Sequence, residues 1–201
     1  MSKTAIKIGP ADNGRRMSLE EFEQADVNEG YLYELSRGMI TVSDVPNRLH
    51  LLVVAAIRNL LQAYMALGSG RIQIIAAGNE CKLLVSDLES ERHPDLSLYL
   101  TPAPEIDDET LWTIWIPEIV IEVVSANSRK RDYEEKPEEY LKIGVKEYWI
   151  VDPDQRVMVV MRRSRGRWSE TTVLPPAVYC SRLLPGFEFS IDAVFKVAGL
   201  S

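Results

Sequence analysis

Hydrophobic positions along the chain recur with two periods, and these sort it into helices and strands. Leu49, Leu52, Val53, Ala56, Leu60 and Tyr64 recur three and four residues apart, which predicts a helix over 47–67, stopped by Gly68. Ser18, with Glu21 three residues on, has the pattern of a capping box and predicts a short helix over 19–25. Residues 31–35 and 38–42 read as a hairpin about Ser36-Arg37, and 72–76 and 81–85 as further strands. Residues 94–100 form another, opening with Pro94, which a strand tolerates at its first position.

The stretch 115–124 is almost continuously apolar, the pattern of a central strand covered on both faces, and Glu122 interrupts it. A polar turn over 125–131 leads into a helix that runs to Ile143 and ends at Gly144. A strand at 148–151, a second hairpin from 157–162 and 167–173, and a closing helix at 191–198 follow. This order predicts an α+β fold with a mixed central sheet flanked by helices and additional N- and C-terminal hairpins. Residues 1–16, polar and glycine-containing, predict a loose segment, and 17–201 a single domain.

Charge narrows the function classes. With 23 basic and 30 acidic residues the chain carries a net charge of −7, so it lacks the overall basic footprint of a nucleic-acid coat. Any contact with nucleic acid is expected to be local. Cys81 and Cys180 stand far apart without a CxxC, and His50 and His93 show no ligand spacing, which argues against a zinc site. The N-terminus lacks the apolar region of a signal peptide, and no apolar run approaches membrane-spanning length, so a cytoplasmic protein without membrane contact is expected.

Glu122 carries the most chemical information. Every residue around it in 119–124 is apolar, and burying an unpaired carboxylate costs several kcal/mol, so it needs a proton, a cationic partner or a metal. Asp95 opens a strand that can lie beside the one holding Glu122. Two carboxylates converging there offer hard oxygen ligands for Mg2+. Lys136 follows fourteen residues after Glu122, and Asp132, Lys136 and Tyr140 fall at i, i+4 and i+8, one face of a helix that Pro137 either kinks or begins. An ammonium on that face can hold a water or stabilise developing negative charge. The bland alternatives are a buried salt bridge for Glu122, a turn acid for Asp95 and a solvated lysine for Lys136. Two basic clusters, 128–131 with Arg129, Lys130 and Arg131, and 162–167 on a hairpin tip, offer phosphate contacts or are simply solvated turns.

Pro94-Asp95-Leu96-Ser97, Val120-Ile121-Glu122-Val123-Val124-Ser125, Arg131-Asp132-Tyr133-Glu134-Glu135-Lys136, Tyr140 and the run from Gly144 to Pro153 resemble the Uma-type putative restriction endonuclease family, within the PD-(D/E)XK nuclease-like superfamily. Ser18 to Phe22, Tyr33-Glu34-Leu35 with Gly38, and His50 fit the same resemblance. It implies a restriction-endonuclease-like core and Mg2+-dependent cleavage of phosphodiester bonds in nucleic acid, DNA being expected and Mn2+ a substitute metal. Asp95 matches the aspartate of the motif and Glu122 its second acid. Val124 stands where the motif has lysine, and Lys136 is the natural substitute on the next helix. Glu34 and His50 would complete the pocket. By analogy with endonucleases that cut both strands, a homodimer is expected. Two other readings stay open: an inactive nuclease fold kept as a nucleic-acid or protein binding module, and a structural protein whose Glu122 pairs with Lys136.

Overall fold

A computed structural model of the chain describes residues 6–68 and 71–200. In chain order its first half comprises β1 (Lys7–Ile8), α1 (Leu19–Glu23), β2 (Asp26–Val27), β3 (Tyr31–Ser36), β4 (Met39–Asp44), α2 (Arg48–Ala66), β5 (Ile74–Ala76), β6 (Leu83–Val85), β7 (Ser90–Arg92) and β8 (Leu96–Tyr99). Then come α3 (Asp108–Ile114), β9 (Ile119–Val123), α4 (Lys136–Ile143), β10 (Glu147–Asp152), β11 (Val157–Ser164), β12 (Arg167–Val173), β13 (Val178–Cys180), β14 (Glu188–Ser190) and α5 (Ile191–Val197).

Six strands form the central sheet in the order β12-β11-β10-β9-β8-β5. Only the β9–β10 pair is parallel, as expected for two strands joined through a helix, so the sheet is mixed. The hairpin β11–β12 extends this sheet through β10 and is therefore part of the core, not an appendage. The hairpin β3–β4 instead joins β7 and β6 in a separate four-stranded antiparallel sheet. A further antiparallel pair, β13–β14, lies near the C-terminal end.

Alternation along β9 divides the core. Ile119, Ile121 and Val123 pack with Val53, Ile57 and Leu61 of α2 and with Val194 and Phe195 of α5. Val120 and Val124 join Tyr140 of α4 on the opposite face, and Glu122 shares that face with them. Glu122 is thus buried by sheet geometry beneath α4.

Several expectations shift by local chemistry. Residues 1–5 of the segment expected to be loose lie outside the described residues, but 6–16 are tied down: β1 pairs in parallel with β2, and Ile8 is fully buried with Phe22 and Leu35. The inner face of α2 is His50, Val53, Ala56, Ile57, Leu61 and Tyr64, while Leu60 turns outward. This helix is long and apolar enough to cross a membrane, but its inner face is part of the core. The strand expected from 115 starts only at Ile119. Asp107 caps α3 by accepting from Thr110 N–H at 2.9 Å, and Pro117, lacking an N–H, separates that helix from the strand. Trp115 ends α3 packed on Tyr99, ring centroids 4.0 Å apart. The capping box at Ser18 and Glu21 forms as expected.

Candidate active site

A pocket of about 510 Å3 lies between the β3–β4 hairpin, the start of α2, the β8–β9 end of the central sheet and the turn before α4. Asp95, Glu122, Lys136, Glu34, His50 and Asp132, all read from the sequence as site residues, line it. Tyr140 lies behind them on α4, in contact with Glu122.

Each side chain arrives by a distinct local device. Antiparallel pairing sets Leu96 opposite Ile121, which brings Asp95, just before β8, beside Glu122 and leaves Asp95 N–H 3.5 Å from Glu122 Oε2. Lys136 is aimed by a wide turn over Arg131–Glu135, in which Lys136 N–H bonds back to Arg131 C=O, five residues earlier. Such a turn suits a helix whose next residue is Pro137, which cannot donate. Pro137 then sits in the first turn of α4 and kinks nothing. The Lys136 amine lies 2.9 Å from Glu122 Oε1 and 3.0 Å from Asp132 Oδ1.

Both carboxylates are pinned through one oxygen. Asp95 Oδ2 accepts from Val123 N–H at 2.7 Å and from His50 Nε2 at 3.0 Å. Glu122 Oε1 accepts from Tyr140 O–H at 2.6 Å and pairs with Lys136. Among the described residues the second oxygen of each has no recorded polar contact closer than the 3.5 Å one from the Asp95 N–H to Glu122 Oε2. Among the described residues no three His, Cys, Asp or Glu side chains group so as to hold a metal alone. Asp95 and Glu122 would be the residues to hold a cation here, with water completing its shell, which is the habit of Mg2+. The donor set therefore fits a hard divalent ion with few protein ligands.

Burial pushes the Glu122 carboxyl up, against the pull of Lys136, and the charges of Asp95, Asp132 and Glu34 add to the rise. A bound cation would relieve that crowding. Burial also works against the Lys136 ammonium, but Asp132, Glu122 and Glu34 outweigh it and hold its amine above the ordinary lysine range. The ammonium form of Lys136 is therefore favoured. Burial opposes the imidazolium of His50, and Asp95 overcomes it, leaving its pKa raised.

Glu34 is held to about 2: burial would raise it, but Lys136, Arg92 and the His93 N–H outweigh burial. Arg92 is the residue that sequence reasoning missed. Its guanidinium is fully buried, grips Glu139 through Nε at 2.7 Å and Nη2 at 3.1 Å, and reaches Ser36 at 2.7 Å and Glu34 at 3.3 Å. It ties the four-stranded sheet to α4 just behind Lys136. Its partner Glu139 lies 47 residues away, and the polar run 89–93 carries no apolar alternation that would mark β7.

The basic cluster 129–131 divides. Arg129 pairs with the buried Asp152, and Lys130 is exposed beside Glu135. Arg131 alone of the three lines the pocket, donating to Ser43 Oγ at 3.3 Å. None of residues 162–167 lines it.

No curated protein matches this chain. Among solved structures, the crystal structure of a putative nuclease belonging to DUF820 from Anabaena variabilis is similar, with a TM-score of 0.73 and 17% identity over 90% of this chain and 99% of that one. That likeness establishes the nuclease-like fold. The family model for Uma2, described as "Putative restriction endonuclease", matches residues 19–192. Since this span holds every residue of the pocket, from Leu32 to Lys136, and most of the chain besides, the protein belongs to the Uma2 family.

Proposed function

We propose that the protein hydrolyses phosphodiester bonds in nucleic acid, DNA being the expected substrate, with Asp95 and Glu122 holding Mg2+ or Mn2+. The observation that carries this reading is the meeting of Asp95, Glu122 and Lys136 in one pocket, each carboxylate braced through one oxygen. A bound divalent cation would supply Lewis-acid polarisation and a more acidic water. The chain's own residues do the rest. His50 and Val123 N–H fix the Asp95 carboxylate, and Tyr140 fixes that of Glu122, so neither has to reorganise. Lys136 is held toward its ammonium form by the acids around it. It orients water and offsets charge building on the phosphoryl group. Arg131 offers a second cation to the substrate phosphate from the pocket wall.

Incubation of supercoiled plasmid, single-stranded DNA and single-stranded RNA, each with Mg2+ or Mn2+, tests the reading. Cleavage by the wild type and its loss in Glu122→Gln are expected; an inactive wild type, or an undiminished Glu122→Gln, refutes it.

The same Glu122–Lys136 contact favours a second reading, in which the pair is structural and the protein binds without turnover. Mn2+ then leaves the melting temperature unchanged, whereas a metal held by the native site raises it.

A further inference from the structure

The pocket's depth and walls carry information about the strand it accepts. Glu122 and Lys136 are only 3% and 4% exposed, so a reacting phosphate must descend to them. Above them the wall turns apolar. Leu32 of β3, Val45 in the β4–α2 link and Leu51 of α2 line the mouth, Val45 and Leu51 each 62% exposed. Solvated apolar surface rimming a buried polar floor fits a ligand with a flat apolar part and a charged part.

Arg131 is the second indication. Among the described residues it makes no ion pair, and its Nε is buried without a partner. In a wall that also holds Glu34, Asp44, Asp95, Glu122 and Asp132, a cation left unmatched points to an anionic ligand. The same acids, with the net charge of −7, oppose the two phosphate rows of a duplex. A duplex is also a rod whose paired bases cannot reach apolar side chains at the mouth of such a pocket.

We propose that the pocket takes one unpaired nucleotide of a single-stranded nucleic acid, its phosphate toward Lys136 and Arg131 and its base against Leu32, Val45 and Leu51. Burial of the base replaces the stacking it would have in a duplex, so a paired strand must first be opened at a cost that selects against it. This rests on nucleic acid being the substrate, and it narrows the substrate to unpaired strands.

Fluorescence anisotropy separates the two. Labelled single-stranded DNA, single-stranded RNA and a blunt DNA duplex of the same sequence are titrated with the full chain in Ca2+ and in EDTA, and the same strands are assayed for cleavage in Mn2+. At least one single strand is expected to bind about tenfold tighter than the duplex. Val45→Asn and Leu51→Asn, at exposed positions, are expected to weaken that binding about tenfold at the wild-type melting temperature. Arg131→Gln is expected to weaken it too. Equal or tighter duplex binding, insensitivity to the lip variants, or no binding to any strand overturns the inference. Preferential single-strand binding without cleavage upholds it and overturns the hydrolytic reading alone.

Discussion

The Lys136 amine meets Glu122 Oε1 at 2.9 Å, although it comes from the following helix, fourteen residues after the acid. Alternation along β9 explains why this works. A lysine two residues after Glu122 would lie on the same sheet face, but Val124 stands there, packed with Tyr140 and Tyr148. The helix α4 covers that face, so an amine from its first turn reaches the acid from above. The ammonium lost from the strand is restored from the layer packed against it.

Both partners are almost fully buried, so removing one charge leaves the other uncompensated. Lys136→Met is expected to lower the unfolding free energy by roughly 3–5 kcal/mol. Adding Glu122→Gln in that background should recover part of the loss. Recovery stays incomplete because Asp132, 3.0 Å from the amine, also loses its partner. Urea unfolding of the single and double variants measures the coupling. Losses in the two single variants that simply add in the double variant would show that Glu122 and Lys136 do not interact.

What the sequence made legible divides along physical lines. The stripe Asp132, Lys136 and Tyr140 follows from helical spacing, and Lys136 and Tyr140 reach the same Glu122 oxygen while Asp132 holds Lys136 from behind. Glu122 was visible because an acid in an apolar strand has few ways to be satisfied. Glu34 and His50 entered only through the family resemblance, since a hairpin acid and a helix-start histidine have no periodic signature. The Arg92–Glu139 clamp was not legible: an ion pair across 47 residues depends on two sheets meeting, which no local pattern encodes. The inner face of α2 was shifted for a related reason. Leu60 and Leu61 both fit an apolar stripe, and only the position of the sheet chooses Leu61.

Arg92 offers a test of that clamp. Its guanidinium engages Glu139 with two nitrogens in a fully buried setting, a geometry a lysine cannot reproduce. Arg92→Lys keeps the charge but loses the fork, and is expected to cost roughly 2–4 kcal/mol for two charge-assisted bonds. Chemical denaturation measures it. A stability unchanged from wild type would mean that charge alone, and not the two-pronged contact, joins the four-stranded sheet to α4.

Acid stability should report on Glu34. Its folded pKa of about 2 lies below its ordinary value, so between the two the unfolded chain binds the extra proton. Its contribution is therefore fully present above the ordinary carboxylate range and is lost as pH falls toward 2. The amount is of order 3 kcal/mol. Stability curves of wild type and Glu34→Gln, taken from neutral pH downward, should converge across that window. A constant gap at every pH would show that Glu34 contributes by packing and not by its charge.

The bracing of the two carboxylates can be tested apart from turnover. His50 and the Val123 N–H hold Asp95 Oδ2, and Tyr140 holds Glu122 Oε1, so each acid is braced through one oxygen. Losing a bracing bond lets the carboxylate rotate, and outer contacts of this kind are worth about 10–100-fold in metal affinity. His50→Ala and Tyr140→Phe are therefore each expected to weaken Mn2+ binding by that order, read by calorimetric titration or by the metal-induced rise in melting temperature. Tyr140→Phe is the cleaner of the two, because it removes only a hydroxyl from a fully buried ring that keeps its edge contact with Tyr148. Asp95→Asn should abolish the metal-induced rise altogether. If Mn2+ bound both bracing variants as tightly as wild type, the two carboxylates would not be the ligands, and the pairing of Glu122 with Lys136 would stand as a structural one.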